Sequence, residues 1–324
     1  MLRPDLDAFL HAIFLQKQKY TLTGCHCLYS PYESRGERRV ELWRRAIFLF
    51  DKSQHERGPF YEASYRDFFC EPRTAEKLTP DIIGFSSRFF CIVDISMSDQ
   101  KGIEMKKYET VTLTEYLKTL FPAASERKNC GYPFLVTDLL PATKYPGYNL
   151  IQVYQPGSAE IEHLEDEVLL KSFRDWTGFV FPVPSYGILA VPESDEEELK
   201  PKLAGIFKKI ATDGEEMTSE GIIQLLMGDL YSSFSAKSRA NLRKKVENIC
   251  DYVSDGVLRE YARYDSSNKS IKITVDVSNP QSRAKFSRDI ESWLKIIPLS
   301  YFVKEEDLPY DDFADKDEIE DNND

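Results

Sequence analysis

Two carboxylates carry the most chemical promise in this chain. Asp81 opens the short apolar segment Ile82-Ile83-Gly84-Phe85, and Asp94 interrupts the longer apolar run Phe89 to Met97. An ionisable group inside an apolar run is costly unless it is paired or bound to a metal. Ser86-Ser87 reads as a turn between the two segments, which makes them a hairpin whose strands lie about 4.8 Å apart. Carboxylates brought together at one end of that hairpin would share a divalent cation. Mg²⁺ suits the role, because it prefers oxygen ligands and keeps waters that can attack a phosphate. The plainer reading stands beside it: an Asp at a strand mouth caps a turn, and Asp94 alternates outwards.

The surrounding elements set the frame for these acids. Gly58-Pro59 opens a helix-like stretch over Phe60 to Phe69, and residues 101–109 form a short charged helix. Tyr132 to Asp138 and Tyr148 to Tyr154 read as strands, as do Phe179 to Pro182 and Tyr186 to Val191, broken by Pro182 and Pro184. Residues 1–20 carry apolar side chains at helical spacing. Residues 35–50 are dense in arginine, suited either to a phosphate-facing helix or to a surface helix paired through Glu37 and Glu41. The succession of helix, hairpin, helix and strand describes a mixed α/β domain with a central sheet.

The stretch Pro80-Asp81 followed by Asp94-Ile95-Ser96 resembles the signature of the PD-(D/E)XK nuclease superfamily. Glu62 stands where that family often has a helical Glu near the metal, and Glu104-Met105-Lys106-Lys107-Tyr108 resembles its Gln-x-x-x-Tyr helix. The likeness covers roughly residues 55–140. It implies a restriction-endonuclease-like mixed sheet, Mg²⁺ held by Glu62, Asp81 and Asp94, and phosphodiester hydrolysis without a covalent intermediate. Two departures stand out. Ser96 occupies the place of the family's Lys, so Lys101, Lys106 or Lys107 would have to reach in from the following helix. Glu104 replaces the family's Gln. Together they leave open a degenerate, non-cleaving domain.

Beyond Ser194-Asp195-Glu196-Glu197-Glu198 the character changes. Three helical stripes follow: Leu199 to Ile210, Ile222 to Tyr231, and Leu242, Val246, Ile249, Cys250 and Val253. A hairpin over 256–264 and 271–277 and a last helix over 280–297 complete the region. Residues 237–263 hold seven basic and four acidic side chains. Three helices and a hairpin resemble a winged helix-turn-helix, whose third helix enters the major groove. On that resemblance Lys237, Arg239, Arg243 and Lys244 meet DNA, while Asn268 and Lys269 at the hairpin tip touch the backbone. The other reading is a protein-docking module with a solvated basic face.

Composition bounds the rest. The 324 residues are 42% hydrophobic, and no apolar run is long enough to span a bilayer. Residues 305–324 carry eleven acids and one Lys; of the net charge of −12 they hold −10, leaving the body at −2. Local basic faces are therefore compatible with the total. Asp5 and Asp7 disfavour a secretory signal, and the six scattered cysteines suit reduced thiols in an intracellular protein. Cys25-His26-Cys27 lacks the second pair that a zinc clip needs. Dispersed glycines argue against a P-loop or Rossmann site, and the four histidines have no triad context. The expected layout is a nuclease-like α/β domain over 1–195, a mainly α winged-helix-like domain over 196–300, and a disordered acidic tail over 301–324. The expected function is DNA binding or processing, with Mg²⁺-dependent hydrolysis if Asp81 and Asp94 are active. The alternative is a non-catalytic adaptor that binds a protein partner through the winged-helix-like domain or the tail.

Overall fold

The apolar run that Asp94 interrupts becomes the central strand of a sheet. In the computed structural model, which describes residues 35–52, 56–97, 101–120, 127–138, 146–153, 157–179 and 183–295, it is β3 (Phe89–Ser96). It pairs antiparallel with β2 (Ile82–Phe85), from Ile82 opposite Val93 to Phe85 opposite Phe90. Ser86 closes the hairpin, its Oγ accepting the Phe89 N–H at 3.0 Å. All four β2 residues are buried, as expected of a strand covered on both faces.

β1 (Asp67–Cys70) adds antiparallel to β2. Here the expected helix over 60–69 is corrected. The helix, α2 (Pro59–Glu62), begins with Pro at its first turn and stops after four residues. Ser64 then takes a left-handed φ of 67°, which breaks the helical path. The aromatic residues Phe68 and Phe69 extend along β2, where pairing and packing outweigh the helical start.

The other edge of β3 is parallel. β4 (Lys128–Asn129) pairs near its start and β5 (Phe134–Thr137) near its end. β6 (Asn149–Gln152) follows parallel to β5, and β7 (Ser158–Glu160) closes antiparallel. The result is a mixed seven-stranded sheet in the order β1-β2-β3-β5-β6-β7, with β4 beside β3. A 3-10 helix (Lys101–Tyr108) and α3 (Glu115–Leu120) cover one face, through Met105, Tyr108 and Leu117 on Ile83, Ile92 and Leu135. Phe60 of α2 meets Phe134 and Phe173, the latter in α4 (Glu167–Asp175), at 4.9 and 5.2 Å.

The arginine-dense segment is α1 (Arg35–Phe48). Its arginines tie down chain rather than face outwards for phosphate. Arg38 is bidentate to the buried Asp138, Arg44 donates to the Ile188 carbonyl, and Arg45 pairs with Glu41 at 2.9 Å and donates to the Val153 carbonyl.

The strand expected over 186–191 is also corrected. Tyr186 and Gly187 both take left-handed φ values, 51° and 67°, so the segment turns. Its Leu189 and Ala190 N–H groups are taken by the Leu226 carbonyl. Of Phe179 to Pro182, only Phe179 lies within the described residues.

The chain divides into two compact units, Met1–Ser194 with Glu220–Lys244, and Asp195–Ser219 with Lys245–Asp324. In the second, α5 (Glu196–Asp213) is capped by Asp195, which accepts the Glu198 N–H, and ends at Gly214 in the left-handed region. β8 (Glu216–Thr218), β9 (Ala262–Asp265) and β10 (Ser270–Ile273) form an antiparallel sheet in the order β8-β10-β9. α8 (Pro280–Leu294) starts at the Asn279 cap and brings Trp293 to 5.6 Å from Phe207. Along the chain, α6 (Ser219–Met227) and α7 (Ala236–Asp255) fall between β8 and β9. The stripe Leu242, Val246, Ile249, Cys250 and Val253 of α7 is buried as its spacing requires. The helical spacing read over residues 1–20, Cys25-His26-Cys27 and the acidic tail lie outside the described residues. Among the described residues no helix is long and apolar enough to cross a membrane.

Candidate metal centre

The antiparallel register gathers acids at one end of the sheet. Cys70 of β1 lies opposite Ile82, so the next residues outwards, Glu71 and Asp81, face each other. The Glu71 N–H donates to the Asp81 carbonyl at 2.8 Å. Glu71 is held in the left-handed region at φ 51°, a conformation a residue with a Cβ adopts only where its surroundings enforce it. On the other side of β2, Asp94 follows Val93, the partner of Ile82. Its Oδ1 accepts the Asp81 N–H at 3.4 Å, while Asp81 Oδ2 accepts the Ile95 N–H. Each of the two predicted acids thus accepts a backbone N–H from the other's strand.

A third strand of chain arrives from far away. Glu193, in the loop before α5, brings its carboxylate to the same place, and oxygens of Glu71, Asp81 and Glu193 lie within 4.8 Å of one another. Arg39 of α1 fixes that loop by donating to the Glu193 carbonyl at 2.6 Å. Carboxylate oxygens this close together are within reach of one shared cation. Its donors are all hard oxygens, which fit Mg²⁺ or Ca²⁺ rather than a thiolate-loving metal.

The field of this group is felt beneath it. Cys70 is fully buried, and burial first, then the charges of Glu71, Asp81 and Glu193, push its thiol well above the ordinary range. Tyr108 is pushed up by burial, then by Asp94, Asp81 and Glu104, and it hydrogen-bonds Asp94. Asp94 itself is only 1% exposed. Tyr108 therefore acts as its anchor.

The other expected residues fall elsewhere. Glu62 is exposed at the end of α2 and pairs with Arg57 at 3.2 Å; it is not in the group formed by Glu71, Asp81 and Glu193. Ser96 is buried, opposite Thr137 in the register. Lys107 pairs with Glu104 at 3.6 Å, its ammonium 4.9 Å from the Tyr108 ring centre, and Lys106 is exposed. The side chain of Lys101 lies outside the described residues. Glu71 and Glu193 went unread in the sequence. Neither stands in a recognisable motif, and Glu193 is more than a hundred residues from its neighbours.

Three of the basic residues assigned to DNA contact, Arg239, Arg243 and Lys269, have protein partners. Arg239 lies over the Tyr231 ring at 4.7 Å, and Arg243 pairs with Glu220 at 3.1 Å, which also takes the Tyr231 hydroxyl. In the second unit, Lys269 pairs with Glu247 at 3.4 Å, and Asn268 bonds Asp265 at 2.7 Å within the hairpin turn. Lys237 and Lys244 have exposed side chains.

Similarity to known proteins adds nothing to this geometry. No family model, no curated protein and no solved structure matches the chain. The reading of function rests on the residues themselves.

Proposed function

We propose that this chain is a nucleic-acid-handling protein built on a nuclease-like domain, with a divalent cation held by Asp81, Glu71 and Glu193 and backed by Asp94. The observation that carries the reading is the meeting of three carboxylates at the mouth of the β2–β3 hairpin. The order of the sheet speaks for it too: an antiparallel meander, a helical segment and then a parallel strand follow the PD-(D/E)XK resemblance. In the second half, the succession α5, β8, α6, α7, β9, β10 with sheet order β8-β10-β9 supports a winged-helix-like reading.

A bound Mg²⁺ would supply positive charge and a water of lowered pKa beside a phosphate. The chain's own residues orient the donors. The Ile95 N–H aims one Asp81 oxygen, Tyr108 holds Asp94, and the left-handed turn at Glu71 points its backbone into Asp81. Glu62 is replaced in this set by Glu71 and Glu193.

The second reading is a non-catalytic adaptor. Ser96, buried and uncharged, cannot stabilise a developing phosphorane, and Arg239, Arg243 and Lys269 are engaged by protein groups. One experiment separates the two. Wild-type protein, Asp81→Asn and Asp94→Ala are titrated with Mn²⁺ by calorimetry and assayed for Mg²⁺-dependent nicking of plasmid and branched DNA. The nuclease reading expects metal binding and nicking that both disappear in Asp81→Asn. Metal binding without nicking supports the adaptor, and nicking unchanged by Asp94→Ala would sink the site.

A further inference from the structure

The opposite end of the same strands collects positive charge. There the register sets Asp67 against Phe85, Phe85 against Phe90, and Phe89 against Lys128. Arg66 precedes β1, Arg88 precedes β3, and Arg127 and Lys128 stand at the start of β4, so the four cations lie at the same end of three strands of the sheet. The Lys128 N–H donates to the Arg88 carbonyl at 3.2 Å, which locks two of them together. Arg66, Arg88 and Lys128 are exposed. Among the described residues none of the four forms an ion pair; Asp67 is the acid whose charge reaches Arg127.

Aromatic rings alternate with these cations. The guanidinium carbon of Arg66 lies 4.8 Å from the ring centre of Tyr61, and that of Arg88 5.6 Å from Phe89. Arg127 lies 5.5 Å from the ring centre of Phe85. Its Nε and Nη1 are buried and have no hydrogen-bond acceptor among the described residues. Buried charged donors without an acceptor are costly, and a guanidinium fork matches the oxygens of a phosphate.

We propose that this rim binds the phosphodiester backbone of a single-stranded nucleic acid, with Arg127 and Arg88 on phosphates and the half-exposed rings of Tyr61 and Phe89 as stacking platforms. Cations carried by β1, β3 and β4, with β1 and β3 two strand spacings apart (about 10 Å), form a track rather than a point site. A track of positive charge interleaved with rings is the pattern that holds single strands without reading their sequence. The polymer class rests on the nucleic-acid reading above, but the rim uses none of the residues of the acidic mouth. The two ends are separated by the length of β2, about 13 Å for four residues.

The test is fluorescence anisotropy with a labelled oligothymidylate of about 20 nucleotides, titrated with full-length protein across a series of salt concentrations. Arg88→Gln/Lys128→Gln removes two surface charges, and Arg127→Gln removes the buried fork; matching melting temperatures check that each variant folds. The rim predicts affinity lowered about ten-fold in the surface pair, with the log–log salt slope reduced by about 1.4. Arg127→Gln should weaken binding as well. Unchanged affinity in both variants, no binding by wild type, or displacement by polyglutamate as effective as by unlabelled oligonucleotide overturns the proposal. Mn²⁺ titration of the same variants keeps the two readings apart. Metal binding with rim-independent oligonucleotide affinity removes the rim alone, while rim-dependent affinity without metal binding removes the cation site alone.

Discussion

Asp94 sits in an apolar strand because its neighbours give it something to bond. The Asp81 N–H and the Tyr108 hydroxyl both reach it, and burial fixes their geometry. Removing the Tyr108 hydroxyl should therefore be felt. Tyr108→Phe is expected to cost about 1–3 kcal/mol in urea unfolding, because it leaves a buried carboxylate short of a donor. The same variant should bind Mn²⁺ more weakly if Asp94 backs the cation. Asp81→Asn has the opposite balance. It relieves repulsion within the acid group, so the metal-free protein should be no less stable than wild type, while the rise in melting temperature on adding Mn²⁺ disappears. At saturation of about 100 times Kd, that rise corresponds to roughly 2.7 kcal/mol in the wild type. A full Mn²⁺-induced shift in Asp81→Asn would refute the metal centre. At this scale the sequence marked Asp81 and Asp94 correctly as neighbours, because a hairpin with a short polar turn allows few registers. It gave no sign of Glu71 or Glu193. Glu71 depends on a strand that reads locally as helix, and Glu193 on a loop delivered by α1.

Elements are held by a few close fits and caps. Gly84 lies in β2 with the Phe50 ring and Cys91 Sγ, the latter at 2.9 Å, in the space its Cβ would take. Gly84→Ala should destabilise by about 1–3 kcal/mol through overpacking, measured as a lowered urea midpoint with unchanged m-value. Asp166 performs two tasks at once. It caps α4 by accepting the Val168 and Leu169 N–H groups at 3.0 and 3.2 Å, and it takes the buried Tyr65 hydroxyl at 2.9 Å. Asp166→Ala should cost about 2–4 kcal/mol, the sum of a lost cap and an orphaned hydroxyl. Asp166→Asn, still a good cap, should recover much of that; equal losses in the two variants would show that capping is not the source. The long amphipathic helices α5, α7 and α8 and the β2–β3 and β9–β10 hairpins were legible because their periodicities repeat over many residues. The segments over 60–69 and 186–191 were not. There, left-handed residues and long-range partners decide the conformation, and neither leaves a periodic trace.

For the whole molecule, the thiols report how completely the two units exclude water. Cys70, Cys91, Cys130 and Cys250 are free and buried, and burial is the leading cause that raises each thiol. Cys250 is pushed from 9.0 up to about 12. A pKa raised on folding means that the unfolded thiol ionises first. Stability from this source is complete below pH 9 and declines as pH rises towards 12, by about 1.4 kcal/mol per pH unit for each thiol. Urea midpoints followed by circular dichroism should fall between pH 9 and 11, and these four thiols should resist a disulfide reagent at pH 8 until the protein unfolds. Rapid labelling of all four in the native state would contradict that burial. Charge is distributed at this scale as well. The last twenty residues account for most of the net −12, while within the first unit acids and cations separate to opposite ends of the same strands.

The sequence by itself determined the α/β pattern of the first half, the helices and hairpin of the second, and the pairing of Asp81 with Asp94. These follow from local spacing, where apolar periodicity and turn residues act over a few positions. Only the tertiary structure decided which acids complete the mouth, that Glu62 stands outside that group, and that the arginines of α1 hold loops. It also placed Arg127 beside Arg88. The physical reason is the same throughout. Electrostatic and hydrogen-bonding partners are set by distances in space, and strands or loops separated by tens to hundreds of residues meet only when the sheet has formed.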